Sequence, residues 1–397
     1  MRRALLAFLA FASSLQLAAQ EPDLAKAPWV RREIGDGVHW HTLRTRQLFG
    51  APQNVDVLEI ELDPKRVRLE IAPAKGLQRT SQIASAAKAL AAVNGGYFSK
   101  EGRPVGLLRS DGKPITPNDG ERYGAIGIAA DGKVRIEKPP MGDWPKMHHA
   151  LGAGPMLVRG GKVDVSSGFG HEKARHPRTA VGLTAKNRLL LVTVDGRAAE
   201  AAGMTCAELA ACMLQLGCVD ALNLDGGGST TMWVRGEPHG GVVNHPSDNK
   251  RFDHQGERAV ANAILVFATR HVVLDDATAE LLPEGRWKRT GAGDDFLGAG
   301  LATIDQGTDA RAAWTLPFTG PCHFEVQIRW PKGTELPRKA VVWIGAQRCE
   351  VVPTRAAGAW LRVGELHVEQ AGEVRLEVAG DDAGPFSVDA LRLRELR

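Results

Sequence analysis

The sequence predicts an α+β domain with a mixed β-sheet, followed by an all-β sandwich domain. In the first two thirds of the chain, short strand-like segments alternate with two helical segments, which favours α+β over a doubly wound parallel sheet. After Phe267 helical periodicity disappears and short β-rich segments follow one another. A length of 397 residues also exceeds the usual size of one domain. We therefore predict domains at residues 27–270 and 271–397.

The N-terminus has the character of a secretory signal peptide. A pair of arginines precedes the apolar run Ala4–Ala12, and small residues follow near Ala19. This run is shorter than the roughly 20 apolar residues that a spanning helix needs, and no later segment resembles one. We expect residues 1–20 to be removed, which predicts a secreted or periplasmic protein without a stable membrane span.

Charge and cysteine content exclude some classes of function. The net charge of +4 is small and no dense basic run occurs, which argues against a nucleic-acid partner. None of the five cysteines has the CxxC spacing of a structural zinc site. Cys206, Cys212 and Cys218 are predicted to be buried free thiols. Cys322 and Cys349 are a candidate disulfide, since an exported protein meets an oxidising compartment.

The first predicted elements are strands and one short helix. The segments Val55–Leu62 and Val67–Ala72 have strand patterns, and Pro64 between them favours a hairpin. A short alanine-rich helix is predicted over residues 80–91. It leads to VNGGYF at Val93–Phe98, a tight turn that either presents side chains to a pocket or simply connects two strands.

Polar residues stand at the ends of the next predicted strands. Arg178 precedes the strand TAVGLTA, where a guanidinium can bind a phosphate in bidentate fashion or form an ordinary surface ion pair. Asp195 ends the following strand, as a cleft residue or as part of a turn. Thr205 and Glu208 form a capping box that opens a helix ending near Gly217.

The strand after this helix runs into NLDGGGSTTM, the most distinctive segment of the chain. Three glycines after Asp225 remove every Cβ from the turn, so that successive N–H groups are predicted to form an anion-binding concavity. A glycine-rich hairpin turn is the alternative. His239, His245 and His254 follow in a polar segment, lack metal-ligand spacing and are predicted to lie on the surface.

Several ordered motifs resemble those of the phosphodiester glycosidase family. They are VNGGYF, GAGPMLVRGGKV, HPRTAVGLTAKNRLLLVTVDGR, NLDGGGSTTM and RAVANAILV, and they extend over roughly residues 40–267. The resemblance implies a hydrolase that cleaves the glycosidic bond of a sugar 1-phosphodiester and releases free sugar and a phosphomonoester.

Within this resemblance the motif residues receive provisional roles. Asp225 is expected to be the nucleophile or electrostatic stabiliser of an oxocarbenium-like transition state. Asp195 is expected to activate water or to position other groups, and Arg178 to neutralise the phosphodiester together with the glycine N–H groups. The predicted substrate-binding residues are Asn94, Gly95, Tyr97, Asn223, Gly226, Gly227, Gly228, Ser229 and Thr230.

Two other classes of function stay open. One is a non-catalytic protein that binds exopolysaccharide or assists its assembly through the same pocket. The other is a metal-dependent phosphodiesterase that cuts the P–O bond, although the sequence lacks the clustered His and Asp spacing of two-metal sites. The sequence requires no cofactor and leaves a divalent metal open.

The segment 271–397 resembles the Golvesin C-terminal-like module. The resemblance rests on GRWKRT, AAWTLPFTGPCHFEVQIRWP and FSVDALRL. It implies a β-sandwich with a possible polysaccharide contact. Five of the nine tryptophans lie here, and we predict that most of them fill the core.

Overall fold

The computed structural model describes residues 23–120, 124–165, 170–290, 301–305, 309–318, 320–330, 339–352, 358–380 and 385–396. The predicted signal peptide at residues 1–20 lies outside them. Among the described residues, none of the helices combines the length and the apolar character that crossing a membrane demands. The described chain is mostly β-structure, with two α-helices and several sheets.

The described residues up to Phe267 form these elements in chain order: β1 (Val30–Gly35), β2 (Val38–Leu48), β3 (Ala51–Glu61), β4 (Arg68–Arg79), α1 (Thr80–Ala86), β5 (Ala91–Asn94), β6 (Leu108–Ser110), β7 (Lys113–Thr116), β8 (Gly124–Ile128), β9 (Val134–Glu137), β10 (His149–Ala153), β11 (Met156–Arg159), β12 (Lys162–Val163), β13 (Arg178–Thr184), β14 (Arg188–Val194), α2 (Cys206–Gln215), β15 (Cys218–Asn223), β16 (Met232–Val234) and β17 (Ala259–Phe267).

These strands form three sheets. An eight-stranded sheet has the order β1-β2-β3-β14-β13-β15-β11-β12, a five-stranded sheet β7-β6-β10-β8-β9, and a four-stranded sheet β16-β5-β17-β4. The predicted mixed sheet is wrong, because every strand pair described here is antiparallel. The reason is the connection through α2. Helix α2 connects β14 to β15, and these two strands run in the same direction. They are not paired with each other, because β13 lies between them and is antiparallel to both.

The predicted hairpin around Pro64 is also wrong. Strand β3 pairs with β2 on one edge and with β14 on the other, so no edge is left for β4. Strand β4 instead pairs with β17 in a different sheet. Helix α1 ends earlier than predicted, because Lys88 adopts a positive φ of 55° and Ala91 already begins β5.

The capping box of α2 is confirmed, and this helix covers one face of the large sheet. The Thr205 hydroxyl accepts from the Glu208 N–H at 3.1 Å, and the Glu208 carboxylate accepts from the Thr205 N–H at 2.8 Å. Cys206, Cys212 and Cys218 are buried free thiols, as predicted. Apolar side chains of α2 pack with those of β14 and β15 in one core.

The described residues from His271 onward contain strands and one short 3₁₀ turn but no α-helix. The strands are β18 (His271–Asp275), β19 (Glu280–Leu282), β20 (Lys288–Thr290), β21 (Leu301–Ile304), β22 (Arg311–Phe318), β23 (Cys322–Arg329), β24 (Ala340–Ile344), β25 (Gln347–Val351), β26 (Leu361–Val368), β27 (Gly372–Gly380), β28 (Phe386–Val388) and β29 (Ala390–Glu395). Their sheets are β18-β29-β23-β26, β19-β22-β27-β24-β25 and β20-β21-β28.

One hydrophobic core joins the two larger sheets of this part. Phe324 of β23 and Leu376 of β27 both belong to it and are 0% exposed. The prediction that most tryptophans of this part fill its core is wrong, because Trp314 and Trp330 are buried but the other three are only partly buried. The boundary at residues 270 and 271 stays a prediction.

The candidate disulfide between Cys322 and Cys349 is wrong, since both are free thiols. Cys322 begins β23 and Cys349 lies in β25, and these strands belong to different sheets. An oxidising compartment would permit a disulfide, but these two cysteines pack separately against the core of this part.

Candidate active site

The sheet topology brings the predicted polar residues to one edge. Strand β13 is antiparallel to both β14 and β15, so its beginning lies beside their ends. Arg178 at the start of β13 pairs with Val194, one residue before Asp195, and Ala180 pairs with Asn223 at the end of β15. The segment that begins at Asp225 therefore starts at the same edge.

Asn94 fixes the backbone of this segment from inside the protein. Its Nδ2 donates to the carbonyl of Asp225 at 2.6 Å. Its Oδ1 accepts from the Thr179 hydroxyl at 2.7 Å and from the Thr231 N–H at 3.1 Å. Asn94 is 0% exposed, so the structure gives it the place of a positioning residue rather than of a group that touches substrate.

Gly95 allows the chain to pack closely against Asn262. A Cβ on Gly95 would collide with Oδ1 of Asn262, and this oxygen accepts from the Gly96 N–H at 2.7 Å. The carbonyl of Gly95 accepts from the Asp225 N–H at 3.0 Å. The NGG turn and the DGGG turn are thus held against each other by backbone bonds.

The Asp225 carboxyl is a buried acid with a shifted pKa. Burial raises the pKa of Asp225 to about 6, against the lowering effects of the Ser229 hydroxyl, the Gly226 N–H and the charge of Arg258. Its Oδ1 accepts from the Gly226 N–H at 2.9 Å. A carboxyl with this pKa changes its charge close to neutral pH, as groups in catalysis often do, and burial raises the pKa of Asp56 to about 7 as well.

The glycine turn does not form the predicted cradle of three N–H groups. The N–H of Gly226 donates to the Asp225 carboxylate, and that of Gly227 donates to the carbonyl of Pro177 at 2.9 Å. Two of the three predicted donors are therefore occupied within the protein. If Gly227 and Gly228 carried a Cβ, it would overlap neighbouring side chains. What these two glycines provide is therefore space for guanidinium groups.

Arg197 lies directly over Gly227. A Cβ on Gly227 would lie 2.9 Å from Nη2 of Arg197, and Gly227 has a φ of +62°. Nη2 of Arg197 is 3.5 Å from Nδ1 of His176. Within the described part of the chain Arg197 has no carboxylate partner, so its charge is available to an anionic ligand.

Arg258 lies over the next glycine. A Cβ on Gly228 would overlap Oδ1 of Asp248 and would lie 2.5 Å from Nη2 of Arg258. Nε of Arg258 donates to Oδ1 of Asp248 at 3.0 Å, and this pair is partly exposed. Arg258 is close enough to lower the pKa of Asp225. The two arginines therefore place positive charge on the turn next to its acid.

Arg178 has a different environment from the one predicted. It is 2% exposed, and burial lowers its pKa. Nε donates to the Met204 carbonyl at 2.7 Å, and Nη2 donates to the carbonyls of His171 and Ala174 at 2.9 and 2.8 Å. Three of the five N–H groups of a guanidinium thus hold the backbone around the site. Only Nη1 is left for a ligand.

Asp195 orients a histidine that sequence analysis placed on the surface. Its Oδ2 lies 2.8 Å from Nδ1 of His245, and its Oδ1 accepts from the His245 N–H at 2.9 Å and from Nδ2 of Asn244 at 3.1 Å. The imidazole stacks on Phe252 with 4.0 Å between ring centroids. The His245 side chain is only 16% exposed, so the surface interpretation is wrong. Asn244 also donates to the Thr230 carbonyl at 3.1 Å, which links this pair to the turn.

Tyr97 and Asn223 form the third group at this edge. Nδ2 of Asn223 donates to the carbonyl of Gly154 at 2.8 Å and lies 3.1 Å from the Tyr97 hydroxyl. Tyr97 also donates to the Gly154 carbonyl, and its oxygen lies 3.2 Å from Nε2 of His171. Burial raises the pKa of Tyr97 above its usual value, which keeps the phenol protonated.

Buried polar atoms without a hydrogen-bond partner in the described structure include Oδ1 of Asn223 and the hydroxyl oxygens of Thr230 and Thr231. Ser229 is likewise 0% exposed. Buried polar atoms without partners are rare in folded proteins, and at a pocket a ligand or water can supply the missing bonds.

Sequence analysis therefore found the turn but missed its most important side chains. Arg197 and Arg258 are both in quoted motifs, where no local signal separates them from surface arginines. His245 has no motif, and its carboxylate partner is 50 residues away. The physical signal for these arginines is a glycine at which a Cβ would overlap a guanidinium. This overlap can be recognised only from the three-dimensional structure.

Comparison with known proteins shows what the region around this site is similar to. Residues 87–267 match the family model described as phosphodiester glycosidase. N-acetylglucosamine-1-phosphodiester alpha-N-acetylglucosaminidase of Bos taurus is 28% identical over 220 residues, which cover 50% of this chain and 41% of that protein. The SPbeta prophage-derived uncharacterized protein YomE of Bacillus subtilis (strain 168) is 26% identical over 196 residues, or 46% of this chain and 29% of that protein. The aligned region thus spans less than half the length of either relative.

A solved structure is similar in fold. The crystal structure of a hypothetical protein from Synechocystis superposes with a TM-score of 0.51 at 17% identity, covering 61% of this chain and 64% of that chain. At this identity the similarity concerns the fold alone.

Proposed function

Since residues 87–267 match the family model described as phosphodiester glycosidase, we propose that this chain is an exported hydrolase that cleaves the glycosidic bond of sugar 1-phosphodiesters. Its products would be a free sugar and a phosphomonoester. One observation carries the proposal. A buried acid, Asp225, and two guanidiniums, those of Arg197 and Arg258, converge on the same glycine turn.

The arginines suit the phosphate side of the substrate. A phosphodiester carries one negative charge, and more charge collects on its oxygens as the bond to the anomeric carbon breaks. Arg197 has no carboxylate partner within the described residues, and Arg258 is held by Asp248. Fixed positive groups aimed at developing charge lower the barrier because they need no reorganisation during the reaction. In this proposal Arg178 positions the surrounding backbone and offers only Nη1 to the phosphate.

Asp225 suits the sugar side. The anomeric carbon becomes positively charged in an oxocarbenium-like transition state, which a nearby carboxylate stabilises or attacks. Asp225 is ionised above its pKa of about 6. Because phosphate leaves easily, a strong general acid matters less here than for an ordinary glycoside. Asp225 therefore acts as the nucleophile or as the electrostatic stabiliser.

The pair Asp195 and His245 supplies the base for water. When the carboxylate accepts from Nδ1, the basic nitrogen of the imidazole is Nε2. In the proposed reaction Nε2 takes a proton from the attacking water, and its orientation comes from Asp195 and the Phe252 ring. Asp195 is then a positioning residue, the second of the two roles predicted for it.

In the same proposal residues 271–397 form a β-sandwich domain that contacts polysaccharide. Two sheets of this part share one hydrophobic core, which supports the sandwich. The sugar, the group beyond the phosphate and an envelope polysaccharide as substrate are all part of the proposal. Its exported location rests on the first 20 residues of the sequence.

The test is product analysis by phosphorus and proton NMR with an N-acetylglucosamine 1-phosphodiester. Wild type is expected to release free sugar and a phosphomonoester. Asp225→Asn should abolish turnover, and Arg197→Ala should lower kcat by about 100-fold, the effect of removing one fixed donor from developing charge. The control is Asp220→Asn, a carboxylate on the same strand whose Oδ1 accepts from the Gly160 N–H at 3.0 Å.

Each other outcome contradicts the proposal in a distinct way. Release of sugar 1-phosphate would mean cleavage of the P–O bond. Full activity of Asp225→Asn would remove this residue from the chemistry. No turnover across a panel of glycan phosphodiesters, combined with measurable binding, would favour the non-catalytic exopolysaccharide-binding protein.

A further inference from the structure

Two histidines and a glutamate meet on one face of the C-terminal part, far along the chain from the glycine turn. His323 of β23 and His367 of β26 are directly opposite each other in the antiparallel ladder. Glu365 lies two residues before His367, on the same face of its strand. Nε2 of His323 is 2.9 Å from Oε2 of Glu365, and Nε2 of His367 is 3.5 Å from the same oxygen.

The spacing of these atoms matches a metal site. One ligand atom from each residue lies within 4.8 Å of the other two. Bonds of about 2.0–2.1 Å in a tetrahedron place ligand atoms roughly 3.3 Å apart, close to the two distances above. The imidazole rings are already stacked, with centroids 3.7 Å apart and 24° between planes. Small rotations of two side chains would therefore complete a three-ligand set.

The chemistry of the ligands selects the metal. Two imidazole nitrogens and one carboxylate are a common ligand set for zinc sites that keep a fourth position open. Calcium and magnesium prefer sites made of oxygen ligands alone.

A competing cation shares this carboxylate. Arg362 donates to Oε1 of Glu365, and its Nε lies 3.0 Å from the carboxylate of Glu325. Glu325 is opposite Glu365 in the ladder, so two acidic groups face each other here. The local negative charge therefore favours a divalent cation. When no metal is bound, the Arg362 guanidinium partly neutralises the two carboxylates.

We propose that His323, Glu365 and His367 bind one Zn²⁺ ion and leave its fourth position to water. Both histidines also line a shallow surface depression that is wide open to solvent, together with Pro321, Cys322, Val368 and Glu369. In this proposal the open position faces solvent in the depression, where an oxygen of a bound glycan can replace the water. The site joins two neighbouring strands and is independent of the proposed hydrolase activity.

The test is a Zn²⁺ titration of the full-length, metal-free protein, followed by competition with a chromophoric chelator. Wild type is expected to bind one ion. His367→Ala is expected to weaken binding by more than tenfold, since even replacing a group behind a ligand weakens metal sites by about 10–100-fold. His148→Ala is the matched control, a partly exposed histidine 3.2 Å from the carboxylate of Asp111. Cys322→Ser should bind as wild type does, which separates the site from the neighbouring thiol.

A second variant tests the site without removing a ligand. Arg362→Ala should tighten Zn²⁺ binding, because it frees Glu365 from its guanidinium partner. Substitution with Co²⁺ should give the intense absorption of four-coordinate cobalt. The proposal fails if wild type binds no Zn²⁺, if His367→Ala binds as wild type does, or if Arg362→Ala binds more weakly.

Discussion

Replacing Asp225 by Asn is expected to stabilise the folded protein while it removes the proposed activity. The folded pKa of Asp225 is about 6, whereas its ordinary value is 3.8. The folded state therefore binds this proton more tightly than the unfolded state does. Stability contributed by the proton is complete below pH 3.8 and is lost as the pH rises through 6. Asn has the shape of the neutral acid and never ionises.

The expected gain follows from the difference between the two pKa values. At about pH 7.5 wild type has lost roughly 3 kcal/mol by ionising a buried carboxyl, at about 1.4 kcal/mol per pKa unit. At about pH 5 the stability that wild type has lost by this ionisation is only roughly 1.6 kcal/mol. The Gly226 N–H donates to Oδ1 of Asp225 at 2.9 Å, and it can donate in the same way to the amide oxygen of the substituted asparagine, so no hydrogen bond is lost. The increase in stability of Asp225→Asn over wild type should thus be larger at the higher pH.

The assay is thermal unfolding of wild type and Asp225→Asn at both pH values. For a domain of the size of residues 23–267, about 3 kcal/mol corresponds to a rise in midpoint of roughly 6–12 °C at the higher pH. Asp220→Asn is the control, with an expected change within about 0.5 kcal/mol. A gain that is equal at both pH values, or a loss at both, would refute the conclusion that folding raises the pKa of Asp225.

Three further outcomes are expected. His245→Gln should lower kcat by at least about 100-fold, the usual contribution of a positioned base, with an unchanged circular dichroism spectrum. Gly95→Ala should destabilise the fold by about 1–3 kcal/mol through steric overlap, whereas Gly372→Ala, where a Cβ meets open space, should not. All five cysteines should react with a thiol reagent after denaturation without reductant; only three reacting would restore the Cys322–Cys349 disulfide.

Local patterns in the sequence predicted the elements well and their partners poorly. The capping box at Thr205 defines the start of α2 because both of its hydrogen bonds lie within four residues. The hairpin at Pro64 failed because the pairing of β3 depends on β2 and β14, and β14 is distant in sequence. Turn chemistry fixes where the chain reverses. Which edges remain free for pairing is decided by the whole sheet.

The candidate site shows the same contrast between features that local sequence predicts and partners that it does not. The end of β15 and its turn could be located from NLDGGGSTTM alone, because Asp225 and the glycines that shape its surroundings are contiguous. Partners that reach the turn from elsewhere, such as His245, depend on the register of β13 with its two neighbours. That register places the ends of β14 and β15 together. No spacing rule within one segment contains this information.

The glycines themselves show why the prediction of an anion-binding cradle of N–H groups was wrong. A turn whose N–H groups bind an anion and a turn that admits a guanidinium both require residues without a Cβ. Sequence therefore supports either assignment equally. The structure separates them, because the N–H groups of Gly226 and Gly227 already have acceptors. Nη2 of Arg197 meanwhile lies where a Cβ of Gly227 would contact it. Positive charge at this turn thus comes from side chains, so its strength can be changed by mutating Arg197 without altering the backbone that holds Asp225.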